Sequence, residues 1–523
     1  MKKIRLFYFL GIVSLVAPSC EKFLDVNDNP NAATSVVPEL ILPTAIVRSA
    51  SLAVSYSTYG ASLGGQIANA GGFSGFGSLL NYNFTPGTFS QWGTAYDNLN
   101  DYKYVIDNTD GSNDLALFNG VAKIMTALEY QRIVDQHGDV PYSEAVLGNQ
   151  NLAPKYDDAA TIYQDIVNKI DEGLSVINGA TFPKTLNAAS DPMFKGDISK
   201  WKQFANTLKL RFLIRLSGVS ALSSFVSAKF AALEQNFLTD DAIVNPGYVK
   251  DRPNPTWATW GYTVTGNVAN ASRVPTFYTY GYYDGNKLID AGRGAVIFND
   301  FGNGSRPTPL NQLGIESGNP PIRANYSPWY TGNRASASDI SNALGVVKGP
   351  SQGQPVILAA EAYFLLAEAQ LKGYLPGDAK ASFENGIRAS FRYLYKNVTG
   401  AVEAGKDVNG DVAAYLTNNA LSYLVNFDLA TTDAQKLEAI ITQKYIALNM
   451  ITADESWNDY RRTGYPVTTP GGGKYVDMAS VTSNSTRPDR LPTILKYPQS
   501  EYDYNPENVK DLNQFSDKLF WAK

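Results

Sequence analysis

The sequence predicts a mainly α fold, a degenerate tetratricopeptide-like scaffold of helix pairs that carries a long, loop-rich aromatic insertion. Three observations predict it. Apolar residues recur at three- and four-residue spacing through much of the chain. Successive helical segments are joined by short turns marked by Gly and Pro. The stretch 240–355 loses the helical period and fills with Gly, Pro, Asn and aromatics.

In chain order, 37–59, 89–107 and 159–177 read as helices, as does 223–237. Within 113–135, Leu117, Val121, Ile124 and Leu128 fall on one face. Over 200–217 the stripe is Trp201, Phe204, Leu208 and Phe212, widened by Leu213 and Leu216 and stopped by Gly218. The stretch 356–372 is rich in Ala and Leu, which lets a neighbouring helix approach closely. Gly373 ends it, and Pro376-Gly377-Asp378 opens the next helix over 379–395, which makes a helical hairpin. Thr432 and Gln435 have capping-box spacing ahead of Leu437, Ile440 and Ile441. A short helix over 454–462 is closed by Gly464 and Pro466. Helix pairs of this kind suggest stacked units, without a clean 34-residue repeat. The segment 60–93 shares the Gly- and Asn-rich character of the insertion.

The chain has 523 residues, with 44 Lys plus Arg against 49 Asp plus Glu, one His and one Cys. Charged residues make up 18 % and aromatics 12 %, a composition that argues for a folded body over a solvating tail. A net charge of −5 offers no general field for phosphates, so nucleic acid is excluded as an expected partner. One Cys forms no intramolecular disulfide, and one His supplies no zinc cluster. No cofactor and no metal is expected.

Residues 1–19 read as a secretory signal: Lys2, Lys3 and Arg5 precede an apolar run from Leu6 to Val16, too short to span a bilayer. The only thiol, Cys20, follows Ala17-Pro18-Ser19, where a bacterial lipobox places its acylated Cys, although Ala17 stands where Leu is usual. The plainer alternative is a signal peptide with an incidental Cys near its end. Cleavage before Cys20 removes three cations and no acid, so the mature chain is the more acidic. The expected division is a signal peptide over 1–19, a lipidated tether over 20–36 and one domain over 37–523. No stretch after the signal reaches 18 consecutive apolar residues, so the body is expected to be held to a membrane only through its N-terminus.

Few residues announce chemistry. His137 lies in His137-Gly138-Asp139-Val140-Pro141-Tyr142, where Gly and Pro mark a turn, so a turn or capping role is expected over catalysis. Asp407-Val408-Asn409-Gly410-Asp411 opens like a calcium loop, then fails at Val412 and Asn418, which leaves a solvated turn. Gly471-Gly472-Gly473 lacks the Lys-Ser/Thr of a phosphate loop and reads as a flexible turn. Glycoside hydrolysis needs only two carboxylates, and no pair here stands in a catalytic motif.

The aromatic run in the insertion is the functional lead: Trp257, Trp260, Tyr262, Phe277, Tyr278, Tyr280, Tyr282, Tyr283, Tyr326, Trp329 and Tyr330, among Asn, Asp and Arg. Sugar rings present apolar faces and hydroxyl edges, which flat rings beside amides and charged groups can meet. The same composition suits peptides or a protein interface, and it also suits rings that fill the insertion's own core. Tyr278, Tyr280 and Tyr282 alternate, so on a strand they share one face.

Taken together, the sequence resembles the SusD/RagB family of nutrient-binding outer-membrane lipoproteins, in its SusD-like, starch-binding-associating branch. The resemblance is carried by Cys20-Glu21-Lys22-Phe23-Leu24-Asp25-Val26-Asn27-Asp28-Asn29-Pro30-Asn31, by Gly138-Asp139-Val140-Pro141-Tyr142-Ser143-Glu144-Ala145 and by Asn206-Thr207-Leu208-Lys209-Leu210-Arg211 after Trp201. The Ala/Glu-rich helix over 358–369 follows, then Gln443-Lys444-Tyr445, Trp457-Asn458-Asp459-Tyr460-Arg461-Arg462, Arg490-Leu491-Pro492 and Asn505-Pro506-Glu507-Asn508. The resemblance implies a surface-exposed, lipid-anchored protein of the outer membrane on a tetratricopeptide-like scaffold. It implies a SusC-like TonB-dependent transporter as partner, a glycan or peptide as ligand, and no catalysis. It nominates Trp92, Tyr280, Tyr282, Tyr283 and Trp329 as ligand-binding residues. Arg461 and Arg462 are expected to be ion-pair or cap residues of the scaffold. The alternatives are a surface glycoside hydrolase and a structural lid with no ligand of its own.

Overall fold

The computed structural model describes residues 37–71, 73, 76–304, 308–316, 330, 332 and 343–523. Cys20, the expected signal peptide and tether over 1–36, and Trp329 lie outside the described residues. The fold is mainly helical, as the sequence predicts. The longer helices are α1 (Pro38–Leu63), α2 (Gln91–Thr109), α3 (Ala116–His137), α4 (Ala159–Gly179), α5 (Ile198–Leu216) and α6 (Ser223–Ala231), then α7 (Ala359–Leu371), α8 (Ala379–Tyr395), α9 (Val408–Asn418), α10 (Asp433–Ala447) and α11 (Ala453–Thr463).

Local chemistry explains the boundaries. Asp158 and Asp197 cap α4 and α5 by accepting the backbone N–H of Thr161 and Lys200. The Thr432–Gln435 capping box starts α10. Gly373 and Gly377, both at positive φ, make the tight turn of the α7–α8 hairpin, and Asp378 caps α8. The α3–α4 pair is drawn together by two glycines: a Cβ on Gly173 would sit 2.8 Å from the Gly120 carbonyl oxygen. α1 is long and apolar enough to cross a membrane, and 56 % of its most apolar window is buried inside the fold, as befits a central helix.

Two corrections concern the ends of elements. The reading of helix from residue 356 gives way to a strand, Gln354–Ile357, with the helix starting at Ala359. α6 stops at Ala231, short of the expected 237.

Three two-stranded antiparallel ladders organise the loops. They are β1 (Ile67–Asn69) with β5 (Arg273–Pro275), β2 (Val140–Pro141) with β3 (Tyr156–Asp157), and β4 (Ala242–Val244) with β6 (Gln354–Ile357). The β4–β6 pair zips the two ends of the insertion together, which is how a chain excursion of this length leaves and rejoins a helical scaffold. The β1–β5 pair ties the Gly-rich 60–93 segment to the insertion, with Ile67 opposite Pro275.

Apolar side chains form two cores. One gathers α1 to α6 around Trp201, Phe204 and Ile166. The other holds the insertion against α7, α8 and α10. α1 and α7 serve both: Leu42 and Ala362 lie in the first, Leu63 and Phe364 in the second.

A buried ionic web ties α3, α5, α7, α10 and α11 together. Arg211 grips Glu361 with two bonds of 2.8 and 2.9 Å. Arg215 bridges Asp135 and Glu455. Lys444 sits 2.9 Å from Asp459, and Arg462 reaches Glu368 and Asp459. Arg461 lies over the Trp457 ring at 3.5 Å and donates to the Thr493 and Asp135 carbonyls. Both arginines are thus scaffold residues. Ion pairs this deep are kept only when every partner is present, because an unmatched buried charge is costly.

Candidate functional site

The aromatic residues of the insertion are placed by a short helix, not a strand. Thr276 caps Phe277–Tyr280 by accepting the Thr279 N–H at 3.0 Å. The alternating reading of Tyr278, Tyr280 and Tyr282 therefore fails. Tyr278 and Tyr282 instead stand four residues apart and meet edge to face at 5.8 Å.

The four nominated residues that are described, Trp92, Tyr280, Tyr282 and Tyr283, lie inside the cores. Tyr283 is 1 % exposed, rests on Phe298 at 5.1 Å and accepts from the Asn449 side chain at 3.1 Å. Tyr282 contacts Tyr445 at 5.8 Å, and the Lys287 ammonium lies 3.9 Å above its ring. Burial pushes the Lys287 ammonium well below its usual range, opposed by Asp284. Tyr280 is 8 % exposed, wedged between Phe298 and Phe301 at 5.1 and 5.4 Å.

Trp92 belongs to the first core, apart from the three tyrosines. Its indole N–H donates to Glu501 at 3.0 Å, and its ring meets His137 and Tyr497 edge-on. The rings of Tyr278, Tyr280 and Tyr282 are packed against other rings.

What the insertion does present is a rim. Phe277 and Tyr475 are half-buried, meet at 5.6 Å, and carry the Lys474 ammonium 4.0 Å above the Phe277 ring. Half-buried Phe301 stands beside Tyr280. Asn286 and Asp284, both exposed and joined at 2.8 Å, add an amide and a carboxylate. Flat rings flanked by an ammonium, an amide and a carboxylate meet the needs of a polyhydroxylated ring or an extended peptide.

Of the rim residues, sequence reasoning named Phe277 and missed Tyr475, Lys474 and Phe301. The available signal was the triple glycine: Gly471 and Gly473 take positive φ in the turn that holds Lys474-Tyr475, which is pinned by a Thr469–Val476 backbone bond of 2.7 Å.

The other flagged motifs resolve as structure. His137 closes α3, its Nδ1 facing the Leu495 carbonyl at 3.3 Å and its ring stacked on Tyr497. Burial pushes its pKa down to about 4, so it is neutral at pH 7. Asp407 starts a helix that the sequence reading took for a solvated turn. Its carboxylate accepts the Asn409 and Gly410 N–H groups as the cap of α9, and Asp411 accepts from the Tyr395 hydroxyl at 2.5 Å. Among the described residues no cluster of three or more His, Cys, Asp or Glu could hold a metal.

Two family models match the chain in succession. The first, "Starch-binding associating with outer membrane", covers residues 30–259, and the second, "Susd and RagB outer membrane lipoprotein", covers 321–518. The chain belongs to the SusD/RagB family. Its members are nutrient-binding proteins of the outer membrane.

The fold is shared with solved structures of low identity. A SusD homolog from Bacteroides fragilis has a TM-score of 0.68 at 22 % identity, over 93 % of this chain and 100 % of that one. A SusD/RagB family protein from Bacteroides thetaiotaomicron gives 0.67 at 19 %, over 93 % and 99 %. A structure described as a chitin-binding protein gives 0.65 at 21 %, over 93 % and 100 %. A search of the curated proteins finds no match.

Proposed function

We propose that this SusD/RagB protein is a cell-surface lipoprotein, anchored through Cys20, that captures oligosaccharides and hands them intact to a SusC-like TonB-dependent transporter. The observation that carries the reading is the order of the two family models along one chain, the first of which is described as starch-binding. The rim of Phe277, Tyr475, Phe301 and the edge of Tyr280 supports it as the ligand contact, with Trp329 of the same insertion as a further platform. Tyr282 and Tyr283 then act from beneath, holding the ledge through Tyr445 and Asn449. The similar fold described as chitin-binding favours glycans over peptides. Modest affinity suffices, because tethering beside a transporter raises effective concentration. The body after the tether acts as one domain, since α1 and α7 contribute to both cores.

The test is a titration of full-length protein in detergent with a panel of oligosaccharides and a peptide digest, with turnover followed in the same tubes. Saturable binding of an intact glycan supports the reading. Product formation replaces it with a hydrolase, and silence across the panel replaces it with a structural lid.

A further inference from the structure

The helical scaffold carries a concave site, separate from the aromatic rim. A cleft of about 310 Å³ opens between α2, α3, α4 and the turn after β2, at the lower end of the roughly 300–1,000 Å³ that small-ligand pockets occupy. Its inner wall is apolar: Leu99 and Ile106 from α2, Tyr130 from α3, and Ala145, Val146 and Leu147 from the turn. Two of the hydroxyls inside are already engaged. Thr126 donates to the Ala122 carbonyl at 2.8 Å, and Tyr142 donates to Asp165. A sugar pushed against the aliphatic part of this wall, Leu99, Ile106, Ala145 and Val146, would leave hydroxyls unpaired.

The mouth is different in kind. Lys103 and Asp107 pair at 2.6 Å along α2, and Asp165 and Lys169 pair at 3.9 Å along α4. Two ammonium and two carboxylate groups therefore line the opening, each a quarter or more exposed on its side chain except Lys169 at 24 %. A rim with both signs and no excess of either favours a ligand that itself carries both signs.

The turn is built to hold this shape. The Asp157 carboxylate accepts the Tyr142 and Ser143 N–H groups at 3.0 and 2.8 Å and the Ser143 hydroxyl at 2.7 Å. Val146 is held at φ +52°, a left-handed conformation that a β-branched residue adopts only under constraint. Gly would sit there at ease, yet the chain places an apolar wall of the cleft at that position. Strain of this sort persists where the surroundings over-determine it, and it gathers at binding sites.

We propose that this cleft is a binding site for a small zwitterion with an apolar side chain, a hydrophobic amino acid or dipeptide. The side chain enters between Leu99, Ile106, Tyr130 and Val146. The ammonium end meets Asp107 or Asp165, and the carboxylate end meets Lys103 or Lys169.

The probe is leucyl-leucine, titrated calorimetrically into full-length protein in detergent. Saturable one-to-one binding is expected, together with at least a tenfold loss when both ends of the probe are blocked by N-acetylation and amidation. Val146→Gly is the decisive variant: it removes the wall and relieves the backbone, so binding should fall at least tenfold while the melting temperature holds or rises. Lys103→Glu with Lys169→Glu should weaken binding equally through the rim. The proposal is overturned if leucyl-leucine does not saturate, if the blocked probe binds as well as the free one, or if both variants bind like the wild type.

Discussion

Glu361 is the anionic centre of the buried web, and replacing it with Gln tests whether that web holds the scaffold. Its carboxylate takes two bonds from Arg211, and the Lys444 ammonium lies 3.6 Å away; the side chains of all three are at most 3 % exposed. Glu361→Gln keeps the shape and removes the charge, leaving two buried cations short of an anion. Breaking a buried pair in this way costs about 3–5 kcal/mol. Arg211 retains Glu455 at 3.8 Å, and Lys444 retains Asp459 at 2.9 Å, which places the expected loss near the lower end. With an unfolding entropy of roughly 2.1 cal/mol/K per residue, a chain of this size has about 1 kcal/mol/K, so the melting temperature should fall by about 3 °C.

Arg211→Met in the Glu361→Gln background removes one of the orphaned cations, and the pair should be less damaging than the two single changes summed, by about 1–3 kcal/mol. Thermal melts followed by far-ultraviolet circular dichroism, with urea titrations for the free energies, measure both quantities. Additivity to within about 0.5 kcal/mol, or a melt unmoved by Glu361→Gln, would refute the reasoning.

The remaining expectations concern pH, packing and the aromatic rim. His137 has a folded pKa pushed by burial down to about 4 from an ordinary 6.5, so the unfolded chain binds the extra proton between these values and stability falls as pH drops through that window. The contribution is about 3 kcal/mol. Asp454, pushed up to about 7 by burial and by Glu455, acts in the opposite direction, so the difference in melting temperature between wild type and His137→Phe across pH 4 to 7 is the quantity to follow, and it should shrink as pH falls. Gly173→Ala drives a methyl to 2.8 Å from the Gly120 carbonyl and should cost about 1–3 kcal/mol in a urea titration. Tyr283→Ala should lower the melting temperature through a loss of about 3–5 kcal/mol. Tyr475→Ala, at the half-exposed rim, should instead weaken glycan binding with the melting temperature lowered by no more than about 1 °C, the equivalent of roughly 1 kcal/mol.

The scaffold was legible because its signals are local. The spacing in 113–135, the Thr432–Gln435 box and the Gly-Pro turn before Asp378 each act within a few residues, and α3, α10 and α8 appear where those signals point. Asp407 was less legible because an Asp followed by Asn409 and Gly410 serves a solvated turn as well as a helix cap, and only the continuation into α9 separates them. The rim was less legible for a different reason. Whether a ring faces solvent depends on partners far along the chain: Tyr445 covers Tyr282, Phe298 covers Tyr283, and Tyr475 reaches Phe277 across nearly 200 residues of sequence. The web around Glu361 was hidden for the same reason, since Arg211 and Glu361 are 150 positions apart.

The central claim is that the aromatic rim captures a glycan without cleaving it. Calorimetric titration of full-length wild type and Tyr475→Ala against starch and chitin oligosaccharides, with the sugars recovered and analysed afterwards, tests it most directly. Saturable binding of one class, recovered intact and weakened at least tenfold by Tyr475→Ala, is the expected result. Binding unaffected by the substitution, shortened sugars or no binding to any oligosaccharide would contradict the account.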